Sequence, residues 1–475
     1  MISVHKRLEF WAGLKPNELA FVDGKKEITF AELHIHTLQV ATILNELGIR
    51  RGDLVCTMLP AYLDWPIVLA LQILGATSFA KPTTANFDSY AEPRWLIASK
   101  EHSQFSTQNT IVLNEKVAEK VNDAKLFVPE VEPHNFTQPI RLSSTSGTTG
   151  ESKYLRYSAA EMHPRLVTPS GVNFLGNGKF LNLMLFGAAQ SYNWAHRCLL
   201  EGKTFFMSAS TNESNFEYLQ KYGIETVYGS PQQISALLET ADKFSHSLDE
   251  KYNLVIGGSA PSGKLLSKIR EKHKCAIYNS HGSAETGFIS MCDLTVENSP
   301  GLIIHPNSVV QILDENDVEF GFDRVGYIRY KIPHASNSYL NNPEETKKSF
   351  KDGYFYSGDM GYKTKDGRLH ITGRSNEVIN FGGVKINPEQ VDGLVLAETG
   401  VQDAASFALD DESGIPKLAV ALVVDHEFDE TAFLSSLKAK FTRAVIAEIF
   451  KVNSIPRNPN GKILRRELSK KFSSK

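Results

Sequence analysis

The sequence predicts an α/β protein: a large N-terminal domain of layered α/β sheets, a small β-rich subdomain, and a small α+β C-terminal domain. Three observations lead there. Short apolar runs alternate with amphipathic stretches through the first 300 residues, the pattern of helices layered on largely parallel sheets. Between Gly301 and His370 the texture changes to short strands and turns. The length, 475 residues, exceeds what one hydrophobic core serves, so more than one domain is expected.

The elements follow in order. Leu54 to Leu59 is apolar and short enough for a buried strand, and Trp65 to Leu74 suits a mostly buried helix. Lys179 to Phe186, Thr204 to Met207, Thr226 to Tyr228 and Leu254 to Ile256 are further strand candidates, with a helix over Pro231 to Lys243. In the β-rich stretch, strands are expected at Val309 to Leu313, Gly326 to Tyr330 and Asp366 to Ile371. A boundary is expected near Gly373 to Glu377, giving a large domain over 1–374 and a small one over 375–475. The small one contains the apolar run Lys417 to Val424. From Arg457 onward the chain carries seven Lys/Arg against one Glu, the composition of a solvated terminal helix.

Composition excludes several classes. With 41% hydrophobic and 22% charged residues the chain is an ordinary globular protein, and a net charge of −3 gives no pull toward nucleic acid or anionic membrane. Cys56, Cys198, Cys275 and Cys292 are isolated from one another, as buried thiols in a reducing compartment would be. No apolar h-region follows Met1 to Arg7. The stretch Trp65 to Ala80 is too short for a bilayer, and Gln72, Gly75 and Ser78 interrupt it. A cytoplasmic protein without a membrane span is expected.

The chemistry concentrates in a few segments. Thr145-Ser146-Gly147-Thr148-Thr149-Gly150-Glu151-Ser152-Lys153 packs four hydroxyl side chains before Glu151, with two glycines and a lysine, into one loop. Glycines admit an anion close to the backbone, and amide, hydroxyl and ammonium donors then hold it. Walker A spacing is absent, because Ser152 stands where a glycine should precede the lysine. Further on come the turn Gly257-Gly258-Ser259, the segment Tyr278 to Gly287 with His281 and Glu285, expected as a loop, the turn Tyr356-Ser357-Gly358-Asp359, and Asn458-Pro459-Asn460-Gly461-Lys462.

In this order and at these separations the segments resemble the adenylate-forming superfamily of acyl- and aryl-CoA synthetases, peptide-synthetase adenylation domains and luciferases. The resemblance covers nearly the whole chain. It implies an AMP-forming acid ligase that uses ATP and magnesium to make an acyl-adenylate, then transfers the acyl group to a thiol. The acceptor is coenzyme A or the phosphopantetheine of a carrier protein. By resemblance Thr145, Ser146, Gly147, Thr148, Thr149, Gly150 and Lys153 hold the phosphates, and Glu285 binds the magnesium. Lys462 bridges the acid and the α-phosphate. Adenine lies between Gly258-Ser259 and the ring of His281, beside Gly282, with Asn279 supplying amide hydrogen bonds. Asp359 takes the ribose hydroxyls with Arg374 assisting. Asn376 falls at the hinge of a mobile C-terminal domain, and Gly383 frames the thiol channel.

The segment corresponding to the acid pocket holds Phe186, Tyr192, Asn193 and Trp194. It lacks the aspartate that pairs with an amino-acid ammonium, so a fatty or aromatic acid is expected. Some positions depart from the superfamily pattern. Ser152 replaces a stiffening proline. Ala284 replaces a threonine that contacts the α-phosphate, with Ser283 and Thr286 as candidate substitutes. Phe441 to Ile446 stands where a proline-rich segment is usual. Two other readings stay open: an enzyme that stops at the adenylate or uses another acceptor, and a non-catalytic nucleotide-binding protein on this fold.

Overall fold

A computed structural model of the chain describes residues 4–24, 26–81, 91–99, 109–129, 137–145, 153–167, 179–209, 211–297, 299, 301–333, 335–375, 377–381, 384–409, 417–440, 446–458 and 461–473. They gather into two compact units interleaved in sequence. One comprises Met1–Tyr228, Gly282–Phe288 and Ile332–Phe355; the other comprises Gly229–His281, Ile289–Lys331 and Tyr356–Lys475.

In the first unit, one sheet runs in the order Asn109–Val112, Trp95–Ala98, Leu54–Met58, Thr77–Ala80, Pro139–Thr145, Lys153–Ser158. Its strands are parallel except for the last pair, an antiparallel hairpin in which Thr145 faces Lys153. Leu54–Met58 is central and almost wholly apolar, as parallel strands covered on both faces must be. The helix Ala61–Leu74 buries Ile67, Ala70 and Leu71 against Val55 and Ile97, and ends on Gly75 in the left-handed region (φ 72°). The helix Phe30–Glu46 is set by a capping box between Thr29 and Glu32. A second set of strands has Lys179–Asn182 parallel to both Phe205–Met207 and Ile224–Gly229, with Leu19–Asp23 parallel to Phe205–Met207.

The strand expected over Lys179 to Phe186 stops at Asn182. Ala188 N–H bonds back to Leu185 O at 3.0 Å, turning the chain into the helix Ala189–Glu201.

In the second unit, Asn253–Ile256 pairs in parallel with Ala276–Ser283, whose neighbour is Gly287–Asp293. The segment expected as a loop from Tyr278 is thus strand through Ser283. Backbone pairing with Asn253–Ile256 as far as Asn279, and the neighbouring strand Gly287–Asp293, outweigh its polar, glycine-containing composition. The β-rich layer is an antiparallel set of Val309–Leu313, Gly326–Lys331, Tyr354–Lys363 and Leu369–Arg374. Further along, Val401–Leu409, Lys417–Val424 and Ile446–Lys451 form a sheet with two cores. Leu418, Val420 and Leu422 pack with Val391 and Val395 on one face, and Ala419 and Ala421 pack with Phe407 and Leu468 on the other. All four cysteines are free and buried. Among the described residues no helix is long and apolar enough to cross a membrane.

Candidate active site

In the first unit the best-formed feature surrounds Glu285. Its side chain is buried, and Tyr339 Oη donates to Glu285 Oε1 at 2.7 Å. The turn that carries it is held from behind. Arg165 donates to Ala284 O at 3.0 Å and to Glu285 O at 2.6 Å. Tyr157 Oη also donates to Ala284 O, and Ser336 N–H donates to Glu285 O at 2.9 Å. Gly282 permits the turn, since a Cβ there would lie 2.1 Å from Gly287 O. Ser283 and Thr286 bond each other, Oγ to Oγ1 at 3.0 Å.

Lys153, at the foot of the hairpin, pairs with Glu345 at 2.5 Å and lies 5.1 Å from the ring centre of Tyr339. Tyr339 therefore joins the lysine and the carboxylate in one cluster. Burial, then the Glu285 carboxylate, push the Tyr339 phenol far above its usual pKa, so it remains a donor at working pH. Thr145 ends its strand opposite Lys153. Ser146, Gly147, Thr148, Thr149 and Gly150 lie outside the described residues.

Glu285 is a hard oxygen donor, and no cluster of three or more His, Cys, Asp or Glu suited to a metal occurs among the described residues. A single carboxylate such as Glu285 is the kind of ligand magnesium takes, since that ion uses one or two protein carboxylates and fills its other positions with phosphate and water.

The second unit contains seven of the residues expected at the nucleotide. Asn279 is the register partner of Ile256, which places it beside the Gly257-Gly258-Ser259 turn, where Gly258 has φ 84°. Gly258 and Ser259 are exposed. Two residues beyond Asn279, His281 Nε2 meets Tyr330 Oη at 3.1 Å, with the rings 5.9 Å apart. Burial holds the His281 pKa below its usual value against the opposing pull of Asp359, so the ring is neutral at pH 7.

Asp359 and Arg374 are cross-strand partners, joined Oδ1 to Nε at 3.1 Å. The Asp359 side chain is only 7% exposed, and the guanidinium offsets part of the cost of burying its charge. Lys462 follows Gly461 (φ 81°) in a turn closed by Lys462 N–H to Asn458 Oδ1 at 2.9 Å. Its ammonium stands 3.5 Å from Glu377 Oε1. Burial, then Arg374, pull its pKa below that of an ordinary lysine. Asn376 and Gly383 lie outside the described residues.

The residues expected at the acid pocket sit on or before the helix Ala189–Glu201. Phe186 packs edge-on to Trp65 at 5.7 Å. Tyr192 is 1% exposed, lies under the Arg141 guanidinium at 4.3 Å and accepts from Gln72 Nε2 at 2.7 Å. Trp194 packs on Phe180 at 4.8 Å, and Asn193 is partly exposed. Sequence reasoning missed Tyr339, Arg165, Tyr330 and Glu377. Each acts on a residue far along the chain, so no local pattern marks it.

Layered, largely parallel sheets with a β-rich layer define an α/β protein, and the carboxylate, imidazole and ammonium groups are those expected of an adenylate-forming enzyme. The family described as AMP-binding enzyme matches residues 8–340, and the chain belongs to it. A 2-succinylbenzoate–CoA ligase of Geobacillus sp. (strain WCH70) is 25% identical over 96% of this chain and 95% of that protein. A 4-chlorobenzoate–CoA ligase of Arthrobacter sp. is 24% identical over 96% and 92%. The solved structure of ATP-bound MatB from Rhodopseudomonas palustris superposes with TM-score 0.85 over 98% of this chain and 99% of that one, at 19% identity. Family membership supports ATP-dependent activation of a carboxylic acid followed by transfer to coenzyme A.

Proposed function

We propose that the chain joins an aromatic or fatty carboxylic acid to coenzyme A in two half-reactions, through an acyl-adenylate. The observation that carries this reading is the convergence in one unit of Asn279, His281, Asp359, Arg374 and Lys462, residues scattered over nearly two hundred positions of sequence. Their chemistry suits a nucleotide: a neutral ring to stack on a base, a carboxylate to accept from ribose hydroxyls, and an ammonium to neutralise charge developing at the α-phosphate.

In the first half-reaction the acid carboxylate attacks the α-phosphorus and pyrophosphate leaves. Lys462 draws the two anions together, while Lys153, Thr145 and the loop that follows hold the departing pyrophosphate. Glu285 would hold magnesium, which would supply charge neutralisation on the phosphate oxygens. In the second half-reaction a thiol displaces AMP. We place the mobile domain at 375–475, with Asn376 at its hinge and Gly383 beside the thiol. The relatives' names favour an aromatic acid and coenzyme A, and carrier-protein phosphopantetheine is the competing acceptor. The test is ATP–pyrophosphate exchange over a panel of aromatic, fatty and amino acids, repeated with coenzyme A and with a holo-carrier protein. Exchange is expected with an aromatic or fatty acid and not with amino acids. Absence of acid-dependent exchange across the panel refutes the reading.

A further inference from the structure

We propose that Glu377 is a positioning residue for Lys462, fixing where the ammonium stands before the acid arrives. The proposal rests on the reading of Lys462 as the adenylation lysine. Each oxygen of the Glu377 carboxylate is engaged. Oε1 faces Lys462 Nζ at 3.5 Å, and Oε2 faces Arg465 Nε at 3.3 Å. Arg465 is itself locked, with Nη2 on Asp392 Oδ2 at 2.6 Å and Nη1 on Ser406 O at 2.7 Å. Ser406 N–H closes the chain of contacts on Asp392 Oδ1. The side chains of Glu377, Arg465 and Asp392 are 14%, 12% and 8% exposed.

A surface ion pair orders little, because long side chains and water compete with it. Here the carboxylate is enclosed and oriented by a guanidinium that cannot swing away. The lysine loop is anchored at its other end by Arg457, on Gly461 O at 3.0 Å and on Asp403 at 2.7 Å. The 3.5 Å contact to Lys462 is longer than a tight charge-assisted hydrogen bond of about 2.7–2.9 Å. Glu377 thus holds the ammonium loosely enough for an incoming carboxylate and phosphate to take it over. The charged groups acting on Lys462 are Arg374, which disfavours its positive charge, and Glu377 and Glu389, which favour it.

The test uses the full chain with Glu377→Gln and Glu377→Asp. Trace acetic anhydride labelling across pH, quantified at Lys462 by mass spectrometry, gives the ammonium's titration midpoint independently of activity. Pyrophosphate exchange gives kcat and KM. In Glu377→Gln the midpoint should fall by roughly 0.5–1 pH unit. Exchange kcat should drop about tenfold, with KM for ATP little changed and the alkaline limb moving with the midpoint. Glu377→Asp should keep the midpoint and recover part of kcat. An unmoved midpoint in Glu377→Gln overturns the proposal, as does a moved midpoint with unchanged kcat. Lys462→Ala separates the two readings: if it retains exchange, the role of the lysine falls, while the labelling midpoint still judges its pairing with Glu377.

Discussion

Removing one hydroxyl, by Tyr339→Phe, tests how the buried Glu285 carboxylate is sustained. The phenylalanine ring keeps the contact with Phe350, 5.2 Å between centroids, and the cation–π position of Lys153 at 5.1 Å. The 2.7 Å donor to Glu285 Oε1 is lost, together with the hydroxyl's hydrogen bond with Ser349. Glu285 is 7% exposed and Tyr339 6%, so water does not freely replace that donor. A hydrogen bond to a charged group contributes about 1.5–3 kcal/mol, and leaving the acceptor buried incurs that cost in full. The assay is urea unfolding followed by tryptophan fluorescence. Trp11, Trp65, Trp95 and Trp194 all lie in the unit that contains Glu285, so the signal reports the affected region. A cycle with Glu285→Gln isolates the pair, with an expected coupling of about 1–2 kcal/mol. Because burial and Glu285 raise the phenol's pKa, the penalty should stay level from pH 7 to about 9. Coupling below about 0.3 kcal/mol would refute the account of the carboxylate.

Lys462→Ala should lower pyrophosphate exchange by at least about 100-fold while nucleotide binding, measured by calorimetry, persists; near wild-type exchange would remove the lysine from the chemistry. Gly373→Ala should destabilise strongly, by about 2 kcal/mol or more, since its φ is 135° and its Cβ would fall 1.5 Å from Asn387 Nδ2. Thermal unfolding should show partial rescue by Asn387→Ala, which relieves the clash and leaves the backbone strain. Burial lowers the His196 pKa to about 3, from 6.5, against a stabilising hydrogen bond to Tyr192 O. The unfolded chain therefore takes up this proton first, and stability present above pH 6.5 is lost on acidification at about 1.4 kcal/mol per unit. In His196→Gln the tryptophan-monitored stability should fall less steeply between pH 6.5 and 5; an unchanged slope counts against a buried neutral imidazole.

Some elements were plain in the sequence because local chemistry and tertiary packing agree. The helix Pro231–Lys243 begins at Ser230, which caps it with Gln233 in a capping box, and proline follows at the first helical position. Leu54–Met58 is apolar on both faces because it is central in its sheet. Where the two disagree, the reading slipped. Asp366 to Gly367 was expected within a strand that instead begins at Leu369, because Gly367 turns the chain at φ 82°. Asn279 to Ser283 has poor strand propensity and is strand because neighbours pair with it. The site divides in the same way. Glu285, Asp359 and Lys462 were legible because reactive groups stand beside glycines in short motifs. Their supports were not: Tyr339 lies 54 residues from Glu285, and Arg465 lies 88 from Glu377. A single partner at such a distance leaves no period or spacing to detect.

Ala284 shows what the contacts add to motif comparison. The missing threonine hydroxyl suggested Ser283 or Thr286 as a replacement donor to the α-phosphate. Both hydroxyls are already committed. Ser283 N–H donates to Thr286 Oγ1 at 3.1 Å, and Thr286 N–H donates to Ser283 Oγ at 3.3 Å. Each side chain thereby caps the turn that presents Glu285, and Thr286 is 2% exposed. Donating either hydroxyl proton to a phosphate would break the Ser283–Thr286 hydroxyl bond at 3.0 Å or the bond from Thr286 Oγ1 to Gly287 O at 3.1 Å, at a cost of about 0.5–1.5 kcal/mol. That is comparable to what the new hydrogen bond would return. In the proposed chemistry Lys462 supplies charge at the α-phosphate, with neither of these two hydroxyls to share the load. Ala284→Thr should accordingly raise exchange kcat. The gain should be larger in the Glu377→Gln background, where the ammonium is less firmly placed, and equal gains in the two backgrounds would show that the hydroxyl and the ammonium act independently.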